Sequence, residues 1–163
     1  MIRRLVLIGL VLGALCVPTT ARAQKHSDPY WQAQYWNNMT LPGPPVLEEQ
    51  VAHLGDDWVY GSPHALIRTD RFSARWSRYL DLEAGSYRFS VASDDGVRLY
   101  VDGRRVIDQW NDHPVRTYTC DLDLSAGHHH VVVEYYENTG IAKVALGLAI
   151  SAAFLYFAFR GVD

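Results

Sequence analysis

The sequence predicts an all-β domain, an antiparallel β-sandwich or barrel, on three observations. Between Phe72 and Gly140, short runs alternate apolar and polar residues, the pattern of strands half-buried on one face. Ala84-Gly85, Asp94-Asp95-Gly96, Asp102-Gly103 and Ala126-Gly127 cut the runs at roughly the 8–12-residue spacing of a sandwich or barrel. No stretch before residue 141 carries helical periodicity, and no internal repeat interrupts the pattern.

The elements follow in order. Residues 24–50 open with Tyr30-Trp31 and Tyr35-Trp36 and continue into Leu41-Pro42-Gly43-Pro44-Pro45. Proline at that density opposes regular structure, so a short strand and then a wrapping loop are predicted. Residues 51–71 carry Gly55-Asp56-Asp57 and Gly61-Ser62-Pro63-His64 and read as a second irregular segment, bearing Trp58 and Tyr60. Phe72–Leu80 is the first strand of the dense region. Ser86–Ala92 is the next, with Tyr87, Phe89 and Val91 on one face, and Val97, Leu99 and Val101 repeat the period. Asp102-Gly103 then fits a two-residue type I′ turn, whose central positions both need positive φ, and Arg104–Trp110 returns. Arg116–Leu124 and His129–Tyr136 complete the run, joined by Ser125-Ala126-Gly127.

The two ends differ from this body. Arg3-Arg4, an apolar run from Leu5 to Val17 and Ala21-Arg22-Ala23 have the parts of a secretory signal peptide covering residues 1–23. Cys16 raises a lipoprotein alternative, opposed by the bulk of Leu15 before it. At the other end, residues 141–159 are apolar except for Lys143, Gly147 and Ser151. One use of them is a closing strand from Ala142 to about Leu148, leaving residues 149–163 as an apolar tail. The other is a membrane anchor, since nineteen helical residues reach roughly 28 Å, with Lys143 and Arg160 snorkelling at its ends. The chain is therefore divided into 1–23, a β domain over 24–148, and the tail 149–163.

Charge and cysteine content narrow the function. Without residues 1–23, twelve Lys and Arg face eighteen Asp and Glu, a net of −6, with no basic cluster to neutralise phosphates, so nucleic acid is excluded as a partner. Cys120 alone survives signal cleavage, which rules out an intramolecular disulfide and makes it a small buried apolar residue. No Gly-x-Ser-x-Gly, His-Glu-x-x-His or phosphate-cradling glycine loop occurs. Glu134, Glu137 and Asp108 could supply a glycosidase carboxylate pair, but nothing singles out two of them, and the chain is read as a non-enzyme.

The most informative residues are Asp94-Asp95, at the mouth of a tight hairpin. Successive residues of a regular strand point to opposite faces, so these two carboxylates can grip one ion only if the backbone bends between them; Gly96 supplies freedom immediately afterwards. Ser93-Asp94-Asp95-Gly96 is also an ordinary turn sequence, in which Asp side chains bond local backbone. Both readings stand on the residues alone.

Four motifs occur in one order: Arg75-Trp76-Ser77-Arg78-Tyr79, Ser93-Asp94-Asp95-Gly96 running on to Asp102-Gly103, Val106-Ile107-Asp108-Gln109-Trp110, and Val133-Glu134-Tyr135-Tyr136-Glu137-Asn138. From about Trp31 to Leu148 the chain resembles the PA14 family, a β-barrel module of bacterial toxins, glycosidases and yeast adhesins. The resemblance implies a cis peptide between Asp94 and Asp95 and, as in the family's sugar-binding members, a Ca²⁺ held by their carboxylates together with an Asn, best matched here by Asn138. Ca²⁺ suits such a site because it is a hard cation taking six to eight oxygens. The implied function is a secreted carbohydrate-binding module for extracellular or cell-surface glycans. The alternative is an envelope structural or protein-interaction module, in which Asp94-Asp95 only shapes a turn and the apolar tail anchors or assembles.

The remaining candidates have simpler readings. His128 and His130 would share one strand face with His129 opposite, and no Cys or acid completes a metal set at recognisable spacing, so the tract reads as a solvated strand entry. Trp76 and Trp110 fall at positions the family uses for core. Trp58 and Tyr60, in a segment read as loop, are the freer aromatics and the candidate ligand-binding pair.

Overall fold

The computed structural model describes residues 27–150; the signal-peptide segment and the tail beyond residue 150 lie outside the described residues. Ten strands build two antiparallel sheets, and no described residue is helical. The strands are β1 (Trp31–Trp36), β2 (Leu47–Val51), β3 (Gly55–Val59), β4 (Phe72–Leu82), β5 (Gly85–Asp94), β6 (Val97–Val101), β7 (Arg104–Gln109), β8 (Arg116–Leu124), β9 (Gly127–Glu137) and β10 (Ala142–Ile150). The six-stranded sheet has the order β2-β1-β4-β9-β6-β7, and the four-stranded sheet the order β3-β10-β5-β8.

The alternation read from the sequence is the reason the two sheets close on each other. Phe72, Ala74 and Trp76 of β4, Val97, Leu99 and Val101 of β6, and Val131, Val133 and Tyr135 of β9 line the inner face of the larger sheet. Tyr87, Phe89 and Val91 of β5 meet them with Val144 of β10 and Leu122 of β8. Each fully buried side chain of this size is worth about 1.5–3 kcal/mol, so the sandwich rests on its core. The β6–β7 turn is as predicted, with φ of 52° at Asp102 and 76° at Gly103. The closing strand takes Ala142 onward and runs to Ile150, paired with β5 from Lys143 to its end.

Several expectations are corrected. The proline-rich region is followed by a real strand, β2, and the segment read as irregular contains β3, which places Trp58 inside a strand. Trp110 lies just past β7, half-buried rather than in the core, its edge against Tyr136 and its ring under Arg98 at 4.2 Å. His129 is not solvated. It is buried between the Asp102 carboxylate, 2.7 Å from Nδ1, and the Ser125 carbonyl, 2.8 Å from Nε2. Cys120 is half-buried in β8, packed against the core. Asp94-Asp95 does not open a hairpin, because β5 and β6 belong to different sheets.

That last difference locates the site. The chain passes between the sheets four times at one end of the sandwich, at residues 60–71 between β3 and β4, at 95–96 between β5 and β6, at 110–115 between β7 and β8, and at 138–141 between β9 and β10, and the last three crossovers build the site. Strand registers bring these corners together, since Val97 lies opposite both Tyr135 and Gln109, and Ser93 lies opposite both Arg116 and Val144.

Candidate cation site at the three crossovers

The Asp94–Asp95 peptide bond is cis. The two carboxylates do not diverge as they would in a regular strand. They converge on a third acid from the neighbouring corner: Asp94, Asp95 and Glu137 each offer an oxygen within 4.8 Å of the others. Asp95 is buried and Glu137 fully so. Gly96 contributes space rather than a left-handed backbone: it is absent from the positive-φ positions, and a Cβ there would overlap the ring of Tyr136.

Backbone amides of the β7–β8 and β9–β10 crossovers hold Asp95. His113 N–H donates to Asp95 Oδ1 at 3.0 Å, and Asn138 N–H donates to Oδ2 at 3.0 Å. The Val115 amide also faces the Asp94 carboxylate and favours its charged form. Pro114, which has no N–H to offer, separates the two donors of this loop. A carboxylate has about four lone-pair positions, so Asp95 is fixed in place with capacity left to accept more.

Glu137 is held differently. Its Oε2 lies 3.0 Å from the Tyr135 hydroxyl, while its Oε1 is buried with no hydrogen-bond partner. Tyr135 has one hydroxyl hydrogen and a nearer acceptor in the Asp94 carbonyl at 2.5 Å, and the Lys143 amide donates to its oxygen at 3.2 Å. Burial and then the charges of Asp95, Asp94 and Asp70, opposed by the Tyr135 hydroxyl, push the Glu137 carboxyl up to about 8. Burial and the Asp95 charge likewise raise Asp94 above its ordinary value. Three carboxylates packed together with one orphaned oxygen are a cost that a cation would relieve.

Of the residues predicted from sequence, Asp94 and Asp95 are brought together. Asn138 joins them through its backbone amide, and its side-chain Nδ2 donates instead to Asp112 Oδ2 at 2.8 Å. Asp112 also receives the Tyr136 hydroxyl at 2.6 Å, and these two bonds keep its carboxyl below the ordinary range. Trp58 is elsewhere, stacked on Trp76 with ring centroids 6.4 Å apart, and Tyr60 beside it is 73% exposed. Glu137 was missed as a ligand. Its signal was its place next to Asn138 at the end of a run of buried residues, where an acid needs a reason. Glu134 and Asp108, the other acids considered, are taken by Arg75, Arg98 and Arg105.

A family model for the PA14 domain matches residues 30–153. The chain belongs to the PA14 domain family. Among curated proteins, the Anti-sigma-I factor RsgI3 of Acetivibrio thermocellus is 30% identical over 117 residues, which are 71% of this chain and 18% of that protein. This PA14 chain thus spans under a fifth of the length of the curated relative it matches. Among solved structures, an anti-sigma factor domain-containing protein from Clostridium clariflavum superposes with a TM-score of 0.69 at 29% identity, over 75% of this chain and 42% of that one. The PA14 sugar-binding domain from an RTX adhesin shares the fold, with a TM-score of 0.52 and 20% identity over 75% of this chain and 90% of that one.

Proposed function

We propose that this PA14 domain is a secreted, non-catalytic carbohydrate-binding module with a Ca²⁺ site at Asp94, Asp95 and Glu137. The observation that carries the reading is the buried, unpartnered Oε1 of Glu137 beside two converging carboxylates. An all-oxygen, all-anionic donor set fits a hard divalent cation and does not fit a soft one. When bound, Ca²⁺ supplies open coordination positions for the hydroxyl oxygens of a sugar. The chain's own residues do the rest: the amides of His113 and Asn138 hold Asp95, and Asp112 fixes the Asn138 amide by its nitrogen, leaving Oδ1 as the free end. The family's sugar-binding members support glycans as the ligand class. Two of the three acids that could have formed a catalytic pair, Glu134 and Asp108, are engaged in ion pairs, which supports binding without turnover. A glycan array probed in Ca²⁺ and again in EDTA tests this: a set of glycans whose signal vanishes with EDTA and in Asp95→Asn supports it, and an array on which no glycan loses its signal in either contradicts it.

A second reading is favoured by one observation. At the end of β10, Leu148 is 37% and Ile150 66% exposed, which suits an interaction or assembly surface leading into the apolar tail, with envelope components or a membrane as partners. Among the described residues no helix is long and apolar enough to cross a membrane. This reading predicts self-association or membrane partitioning that disappears when the chain is stopped at Leu148.

A further inference from the structure

We propose that the cleft between β2 and β3, on the core side of Tyr135 away from the acids, is a second sugar subsite that needs no cation. The inference takes its ligand class from the carbohydrate-binding reading and nothing from the Ca²⁺ site. The cleft holds about 280 Å³ and is lined by Tyr35, Glu49, His53, Asp56, Trp58 and Trp76, among others. That is near the low end of small-molecule sites, about 300–1,000 Å³, and suits one sugar ring rather than a peptide.

The lining chooses among ligand chemistries. Tyr35 and Trp76 are buried to 3% and 1% exposure, so only the half-exposed Trp58 presents aromatic surface. One platform suits the apolar face of a sugar ring, whereas an organic cation is best held by a cage of several rings. Glu49 and Asp56 bring acceptors, with no Lys or Arg in the lining; that fits a hydroxyl-rich neutral ligand and repels an acidic one. Glu49 lies beside the Tyr35 hydroxyl, and burial together with the Glu49 charge pushes that hydroxyl up to about 12. β2 and β3 are the terminal strands of their sheets among the described residues, so the cleft lies between two sheet edges, the kind of backbone that can meet further hydroxyls.

The backbone is shaped around the platform. Gly55 begins β3 at φ 74° where a Cβ would overlap the Val144 carbonyl. Val59, directly after Trp58, has φ of 56°, an uncommon conformation for a β-branched residue and one that concentrates at functional sites. Trp58 itself is backed by Trp76, Phe72 and Tyr135, a rigid support of the kind a stacking residue requires.

The test is calorimetric titration of the full chain, in EDTA, with neutral oligosaccharides of β-linked glucose, xylose and galactose. Saturable binding is expected, weakened at least tenfold in Trp58→Ala and in Glu49→Gln. Glu49→Gln sits on a half-exposed edge strand and keeps the readout valid should Trp58→Ala unfold. Binding seen in Ca²⁺ but none in EDTA overturns the second subsite and leaves the cation site standing. Binding in EDTA that neither variant weakens overturns it as well, as does a preference for acidic sugars or simple amines. No binding in either buffer overturns both.

Discussion

Two acid-bearing turns lie eight residues apart, and they differ in what surrounds their carboxylates. At Asp102-Gly103 every polar group is answered. Asp102 accepts from His129 Nδ1 at 2.7 Å and from the His130 amide at 2.9 Å, and the second nitrogen of His129 meets the Ser125 carbonyl. Both ring nitrogens face acceptors, so the imidazolium form is satisfied at both ends. At Asp94-Asp95 the third acid, Glu137, is more deeply buried than Asp102 and keeps an oxygen with no partner. The first turn is finished by the chain itself. The second leaves an oxygen unanswered among the described residues, and on the proposed reading a cation answers it, which would separate a structural acid from a binding one.

The comparison can be broken by mutation, and the largest effect falls on the finished turn. Asp102→Gly keeps the positive φ and removes only the carboxylate, stranding a buried imidazole; it should cost about 3 kcal/mol by thermal or denaturant unfolding, with Ca²⁺ affinity untouched. A loss of Ca²⁺ binding would show that the two turns are not independent. Next, Ca²⁺ at a hundredfold over its Kd should stabilise the wild-type protein by about 2.7 kcal/mol, raising Tm by several degrees, and should leave Asp95→Asn where it was. Equal shifts in both proteins would place the ion elsewhere. Smaller and opposite in sign to the first, Glu137→Gln should stabilise the cation-free protein at neutral pH by about 1 kcal/mol or more, because it removes an acid that must take up a proton to be buried in the cluster. Destabilisation in EDTA would mean that Glu137 is a structural acid like Asp102.

The gentlest lever is pH. Burial opposes charge on His129, but the Asp102 carboxylate and the Ser125 carbonyl outweigh it and raise the imidazole above its usual range. Burial also opposes charge on Asp102, and the bonds from His129 and the His130 amide outweigh that and lower it. The stability gained through His129 is therefore full below its unfolded pKa, about 6.5, and is lost as pH rises through the raised folded value. That gained through Asp102 is full above its unfolded value of about 3.9 and is lost as pH falls through the lowered one. The gap in Tm between wild type and Asp102→Gly should be widest at roughly pH 4–6.5 and narrow above it; a gap that widened toward pH 9 would contradict the charged pair.

Where local pattern decided structure, the sequence could be read. Arg116–Leu124 is a strand to the residue, and Asp102-Gly103 turns as its φ preferences require. β2 and β3 were hidden because Pro44-Pro45 and Gly55-Asp56 oppose strand locally, and pairing with β1 and β10 overrides that preference. The site was half legible. Asp94 and Asp95 are adjacent in the chain, whereas Glu137 joins them only because two crossovers meet at one end of the sandwich. His129 was misread for the same reason, since its partner Asp102 is distant in sequence and no strand periodicity announces it.

The most direct measurement is a calorimetric Ca²⁺ titration of the wild-type chain beside Asp95→Asn and Asp102→Gly. The account predicts saturable binding near one ion per chain, lost in Asp95→Asn and retained in Asp102→Gly. A flat trace from folded wild-type protein, or binding that survives in Asp95→Asn, would contradict it.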